Sequence, residues 1–515
     1  MLAAALPTPR RPWLDALPER VTLRDLSGDD LGGNLDAGAS AGGVAIGWVD
    51  RPEHQRRDLF TIDLDRDGGV LVLGGAGSGR TTTLVSIVSA FGARTSHPVI
   101  IHGIDAGRGL DSLRARRGVG DVVAVADAER VLRLLREVSA DLADRLAAPT
   151  DRASEQPPRR LLVVDGMSGL EEVHERVNHG EAIDLLTRIA REGRPFGIHL
   201  ALAAHRRAEV PAALAAALGC RILLRSINED EAMLLGLAPA SADRDIPPGR
   251  GHVDGHQVQI ALPDPAEATA DLLPAAVVTA AAVGSLPRRV LLSQLLEAGA
   301  GRLVPQPSDD RDGLVDLGWA ELLVGLESDA VHPVRLDLRH HHGLVAGPSR
   351  SGRTTTLATI AAAFEASFGA AATFHVVRID RAMQPVVALD LLRSAGSATA
   401  EGVPTLVCVD DVNDVLDAPD GDQIERLLEQ LVATGRSAPV RVVLAGENDA
   451  LGRAFSDLVT RVRAGRTGVL LCPDPDVHGS LLHTELPRRA ELPMCPGRGW
   501  MVSGGVARAV QIAIP

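Results

Sequence analysis

Lysine and tyrosine are absent from the 515 residues, so all 53 basic side chains are arginine. Alanine, glycine and arginine are abundant instead, which reads as compositional drift of the kind a GC-rich genome produces. Cysteine is scarce: Cys220, Cys408, Cys472 and Cys495 share no paired spacing. That excludes a disulfide framework and a cysteine zinc site, and implies a reducing setting. No apolar run reaches the ~18 residues of a membrane-crossing helix; 266–284 comes nearest, but Glu267, Asp271 and Pro274 interrupt it. The N-terminal MLAAALPTPRRPW places its arginines after its apolar residues, so it does not read as a signal peptide. A cytoplasmic protein is the expectation. The net charge of −14 leaves no strongly basic balance, which argues against a protein that coats nucleic acid through a basic face.

What is present is ordinary globular material: 45% hydrophobic and 23% charged residues, with mean hydropathy +0.09. The length exceeds one core, and at ~150 residues per domain it predicts two to four. The chain also repeats itself. Gly79–Phe91 reads GRTTTLVSIVSAF and Gly352–Phe364 reads GRTTTLATIAAAF, identical at nine of thirteen positions. LPERVTLRDL from Leu17 is echoed by LPRRVLLSQL from Leu286; PGRG followed by VQIALP, from Pro248 to Pro263, is echoed by PGRG and VQIAIP, from Pro496 to Pro515. Three echoes in one order predict two homologous modules. The expected organisation is a tail over 1–16, a first module over 17–265, a linker helix over 266–285 and a second module over 286–515. Residues 301–313 read as a loop.

Within the first module, Val70–Leu73, Pro98–Ile101, Leu161–Val164, His199–Ala203 and Arg221–Leu224 read as strands separated by helical stretches. Short continuous apolar runs alternating with helices predict an α/β fold: mainly parallel sheets with helices on both faces.

The first strand leads into Gly74, Gly75, Ala76, Gly77, Ser78, Gly79, Arg80, Thr81 and Thr82. In the second module Gly343-Leu344-Val345-Ala346 leads into Gly347, Pro348, Ser349, Arg350, Ser351, Gly352, Arg353, Thr354 and Thr355. Both fit G-x-x-x-x-G-K-[ST], except that arginine replaces lysine. Such glycines let successive amides point inward at phosphates, and the following helix adds its positive end. Thr81 and Thr354 are expected to place a hydroxyl on Mg2+, and Arg80 and Arg353 to approach the β- and γ-phosphates of ATP. A glycine turn with no ligand is the alternative for one degenerate match. Two copies in strand–loop–helix context make it a poor one. Arginine is not a conservative replacement, because its fork is longer and planar.

Leu161–Asp165 and Leu406–Asp410 each place an Asp at the end of an apolar strand, Asp165 and Asp410, read as magnesium-ordering groups. The position after it, where a glutamate would orient the attacking water, is Gly166 in the first module and Asp411 in the second. Asp165, Asp410 and Asp411 are therefore the candidate catalytic carboxylates, with binding expected in both modules and turnover weak or absent. His205 and Glu447 stand at the next strand end as candidate nucleotide sensors. Arg221, Arg225, Arg461, Arg463 and Arg466 could serve as fingers on a neighbour's phosphate, although a surface ion pair is the better reading for any one of them. The triplet His340-His341-His342 reads as a loop, not a metal site.

These residues resemble FtsK/SpoIIIE-type P-loop ATPase domains in tandem, above all the C-terminal modules of the EccC-type ATPases of type VII (ESX) secretion. The stretch from Ile46 to Leu64, VVDGMSGL, VGLESDAVHPVRLDL and RAGRTGVLLCPDPDVHGSLL carry the similarity, over nearly all of 17–515. The resemblance implies a RecA-like core, ATP and Mg2+ as cofactors, and assembly with other such ATPase modules end to end or as a hexameric ring. It also implies small helical secretion substrates and a membrane-anchored partner subunit at the inner face of the plasma membrane. That family's first ATPase module and membrane helices have no counterpart in this sequence, so Met1 is expected to begin a fragment or a split subunit. A DNA translocase is the alternative function, with duplex DNA as partner, and the acidic charge disfavours it. A nucleotide-binding pseudo-ATPase scaffold is another.

Overall fold

The computed structural model describes residues 14–26, 43–92, 99–114, 116, 118–148, 157–176, 180–225, 246–263, 282–297, 320–328, 331–368, 372–453, 456–486 and 494–515. The chain divides into two compact units, Met1–Val283 and Gly284–Pro515. Of the expected linker helix, 266–281 lies outside the described residues, as do the expected loop at 301–313 and most of the tail. Residues 282–285 are not helical.

The first unit orders its strands as β1 (Val44–Arg51), β2 (Arg56–Ile62), β3 (Gly69–Leu73), β4 (Val99–Asp105), β5 (Val119–Ala124), β6 (Arg159–Asp165), β7 (Ile198–Ala204), β8 (Cys220–Leu224), β9 (Arg250–Val253) and β10 (His256–Ile260). They form one sheet in the order β2-β1-β10-β9-β8-β3-β7-β6-β4-β5. From β8 to β5 every pairing is parallel, and from β8 to β2 every pairing is antiparallel. The parallel part contains each strand expected from sequence. Its apolar runs are continuous because both faces are covered. Leu71 and Leu73 pack with Val131, Leu135, Leu186 and Ile189 of the helices Ala128–Ala147 and Glu181–Glu192. Val70 and Val72 pack with Leu84, Ile87 and Phe91 of the helix Arg80–Gly92. Each such fully buried side chain contributes roughly 1.5–3 kcal/mol.

The second unit repeats the plan with β11 (Glu321–Glu327), β12 (Pro333–Asp337), β13 (Gly343–Ala346), β14 (His375–Ile379), β15 (Thr405–Val409), β16 (Val440–Gly446), β17 (Gly468–Leu471), β18 (Arg498–Ser503) and β19 (Val506–Ile512). The sheet runs β12-β11-β19-β18-β17-β13-β16-β15-β14. Here β17, β13, β16, β15 and β14 are parallel, and the rest antiparallel.

The sequence echoes meet in space. Arg250 of the first PGRG donates to the carbonyls of Leu17 and Pro18 at 2.6 and 2.8 Å, and its Nε donates to Gln259 Oε1 at 3.1 Å. Arg498 of the second PGRG donates to Leu286 and Pro287 at 2.8 and 3.1 Å and to Gln511 Oε1 at 3.1 Å. The amides of Gln259 and Gln511 return to the carbonyls of Pro248 and Pro496. One guanidinium thus pins the start of each unit to its last hairpin. The second and third echoes are the parts of this clamp.

Candidate nucleotide-binding sites

Both glycine loops leave the buried end of a central parallel strand and open a helix. In the first, Gly77 and Gly79 take φ of 68° and 99°, which favour glycine. A Cβ on Gly74 would lie 2.5 Å from Ser78 Oγ, and one on Gly79 would lie 3.0 Å from the amide nitrogen of Gly249. That amide donates to the Ser78 carbonyl at 2.8 Å, so the PGRG turn also braces the loop. The second loop matches: Gly352 has φ 103°, its Cβ position is 3.0 Å from Gly497 N, and Gly497 N donates to the Ser351 carbonyl at 2.8 Å. The hydroxyl oxygens of Ser78 and Ser351 are buried and have no hydrogen-bond partner among the described residues.

At each loop the threonine after the arginine reaches the strand-end aspartate. Thr81 Oγ1 donates to Asp165 Oδ2 at 2.5 Å, and Thr354 Oγ1 donates to Asp410 Oδ2 at 2.5 Å. Residues 84 and 56 positions apart in sequence, respectively, thus form the same oxygen pair. Burial raises the Asp165 carboxyl above its ordinary range; the Thr81 hydrogen bond opposes this, and nearby Asp105 adds to it. Asp105, which the sequence did not single out, ends β4 and accepts from the amides of Gly107 and Leu110 at 2.9 and 2.7 Å. It shapes a turn whose Gly109 approaches the pair so closely that a Cβ there would lie 2.6 Å from Thr81 Cγ2 and 3.4 Å from Asp165 Oδ2. The signal was another Asp at a strand end. Paired hard oxygens beside a glycine cradle suit a magnesium-bound polyphosphate.

The arginines turn back onto their own loops. Arg80 Nη1 donates to the Gly74 carbonyl and, at 2.9 Å, to Nδ1 of His205. Arg353 Nη1 donates to the Gly347 carbonyl at 2.6 Å, and its Nη2 donates to Asp411 Oδ1 at 2.6 Å. Glu447 lies 3.7 Å from the same guanidinium. His205 and Glu447 therefore both stand beside the loop arginine, one without negative charge and the other with it. Asp411 has φ 47°, and burial raises its carboxyl while Arg353 opposes the rise. Of the candidate fingers, Arg225 approaches the Ala76 carbonyl at 3.4 Å, while Arg221, Arg463 and Arg466 donate to carbonyls of their own unit. Arg461 lies elsewhere, in the wall of a cavity beside His340, His341 and His342.

No family profile matches the chain. It is 28% identical over 564 residues to the ESX-4 secretion system protein EccC4 of Mycobacterium tuberculosis, covering 98% of this chain and 43% of that protein. It is 28% identical over 404 residues to the ESX secretion system protein EccC of Thermomonospora curvata, covering 70% of this chain and 29% of that protein. Its homologues are the EccC and EssC ATPases of type VII secretion. ATPases 2 and 3 of Thermomonospora curvata EccC, solved in complex with a signal sequence peptide, superpose with TM-score 0.67 at 23% identity, covering 98% of this chain and all of that one. ATPases 2 and 3 of EssC from Geobacillus thermodenitrificans give TM-score 0.70 at 20% identity, covering 97% and 100%. The fold is thus that of the tandem EccC and EssC ATPase domains. The chain spans less than half the length of the two curated EccC relatives described above. Among the described residues no helix is long and apolar enough to cross a membrane.

Proposed function

We propose that the chain is an ATP-binding motor or regulatory subunit of a type VII-like secretion machine, with two degenerate phosphate loops and weak or absent turnover. The observation that carries this reading is the repeated Thr–Asp pair at 2.5 Å at the foot of each glycine loop. In each unit the amides of Gly74–Thr82 or Gly347–Thr355 would cradle the phosphates. Thr81 with Asp165, and Thr354 with Asp410, would hold Mg2+, which supplies charge neutralisation across the phosphates when bound. Arg80 would reach phosphate by leaving a carbonyl and a histidine. Arg353 would have to leave a carbonyl and the carboxylate of Asp411.

Turnover is where the units fall short. Gly166 supplies no base in the first. In the second, Asp411 is one methylene shorter than glutamate, and its carboxylate is occupied by the Arg353 guanidinium instead of being free to orient a water. The Arg353–Asp411 pair also favours a second reading, a scaffold that binds nucleotide and never turns over. The partners we propose are other FtsK/SpoIIIE-type ATPase modules, up to a ring, together with small helical secretion substrates and a membrane-anchored subunit. That would set the chain in the cytoplasm at the inner membrane face. Steady-state phosphate release by the wild type and by Arg353→Lys separates motor from scaffold. A motor gives slow magnesium-dependent release that rises in the lysine variant, and no release from either protein leaves the scaffold.

A further inference from the structure

The N-terminal edge of the parallel strands in the second unit, opposite its phosphate loop, holds a cavity of about 670 Å3. This is within the ~300–1,000 Å3 usual for small-molecule sites. Its walls include Arg339, His341, His342, Arg436, Arg441 and Arg461, and no carboxylate is among its lining residues. Asp337, the acid whose charge acts on Arg441, is engaged by Arg339 at 2.9 Å.

Arg441 is the unusual member. It sits in β16 at 3% exposure and donates only to carbonyls: Leu338, Arg339, Gly435 at 2.6 Å and Val440 at 2.7 Å. Its hydrogen bonds go to four neutral acceptors, and the one acid that acts on its charge, Asp337, is already paired with Arg339. Burial lowers it to about 10, which still keeps it cationic at neutral pH. A buried charge without a counter-charge is costly unless something neutralises it. Arg436 and Arg461, at the exposed rim, have no ion-pair partner among the described residues.

The fold does not require this charge. Ala201 pairs with Val70 and Val443 with Gly343, each four residues ahead of its glycine loop, so Arg441 occupies the place that His199 holds in the first unit. There the imidazole contacts the Gly68 carbonyl at 3.2 Å and lies 3.5 Å from Asp65, and burial keeps it neutral. The counterpart of Arg436 is Arg194, which is spent on the Asp65 carbonyl at 2.9 Å. One homologous place holds a neutral imidazole, while the other gathers four guanidiniums around a space.

We propose that this cavity is a binding site for a small phosphate-bearing molecule, with Arg436 and Arg461 gripping the phosphate and Arg441 supplying fixed positive charge behind it. Guanidinium forks match phosphate oxygens pairwise, and a dianion or higher charge answers three arginines better than one carboxylate does. The assignment is independent of how the glycine loops function.

The test is calorimetric titration of the full chain with inorganic pyrophosphate, in 150 mM NaCl with EDTA to remove magnesium. Three proteins are compared: the wild type, Arg436→Gln/Arg461→Gln, and Arg80→Gln/Arg353→Gln, each first checked for an unchanged melting curve. The expected result is saturable binding by the wild type, at least tenfold weaker in the rim variant and unchanged in the loop variant. No binding by the wild type, equal binding by the rim variant, or loss in the loop variant would each overturn the proposal.

Discussion

Arg353 and Asp411 are joined at 2.6 Å, with the same guanidinium donating to the Gly347 carbonyl. The side chain placed to meet phosphate is thus shared between its own loop and the residue placed to accept a proton. The first unit has no equivalent, since Gly166 stands beside Asp165 and the arginine faces His205 instead.

This asymmetry makes Asp411→Asn a gain-of-binding variant. Removing the carboxylate charge frees Arg353 and lightens the negative charge around the second loop. An ion pair of this partial exposure is worth about 1 kcal/mol, or roughly fivefold in affinity. ATP–Mg should bind the second unit ~5-fold more tightly in Asp411→Asn, with phosphate release no faster than in the wild type. Unchanged or weaker binding would show that Arg353 is not held back by Asp411.

The clamp at the end of each unit predicts a large stability effect from a residue far from any phosphate. Arg498→Met keeps the length of the side chain and deletes its hydrogen bonds to Leu286, Pro287 and Gln511. Leaving buried carbonyls and Gln511 Oε1 without that donor should cost about 2–4 kcal/mol. In differential scanning calorimetry the transition of the second unit should drop by roughly 5–10 °C, while that of the first unit stays in place. A shift of both, or of neither, would count against the clamp.

His342 predicts a pH dependence. The Val442 amide donates to Nδ1 at 3.0 Å and Nε2 faces the Val432 carbonyl at 3.0 Å, an arrangement that needs a neutral ring with its proton on Nε2. Burial, reinforced by Arg441, lowers the group from 6.5 to about 4. The unfolded chain therefore binds the extra proton more readily than the folded one. Stability from this group is fully present above pH ~6.5 and is lost as the pH falls through 4. The second unit should melt progressively earlier between pH 6.5 and 4, and His342→Leu should flatten that slope while lowering the melting temperature at pH 7. A parallel slope in the variant would assign the effect to other groups.

The glycine loops, the strands feeding them and the partnership of Thr81 with Asp165 and Thr354 with Asp410 were legible because each is a short string with local consequences. Apolar runs of four to six residues marked every parallel strand from β3 to β8 except β5. The antiparallel halves of the sheets were not legible. Their hairpin β9–β10 turns through Asp254 and Gly255, both at positive φ, yet its strands are short and half polar, so periodicity alone does not raise them above loop. Arg250 and Arg498 were visible as repeated letters, but their work depends on carbonyls more than two hundred residues away. Arg441 carried no sequence signal of its own, since its burial is a tertiary fact, and Asp105 carried only that of one more Asp at a strand end.

The stoichiometry of ATP–Mg binding at equilibrium tests the central claim most directly. The wild-type chain should bind two nucleotides, Thr81→Val and Thr354→Val one each, and the double variant none, with magnesium required throughout. Retention of two nucleotides by the double variant, or no binding by the wild type, would contradict the assignment of both loops as nucleotide sites.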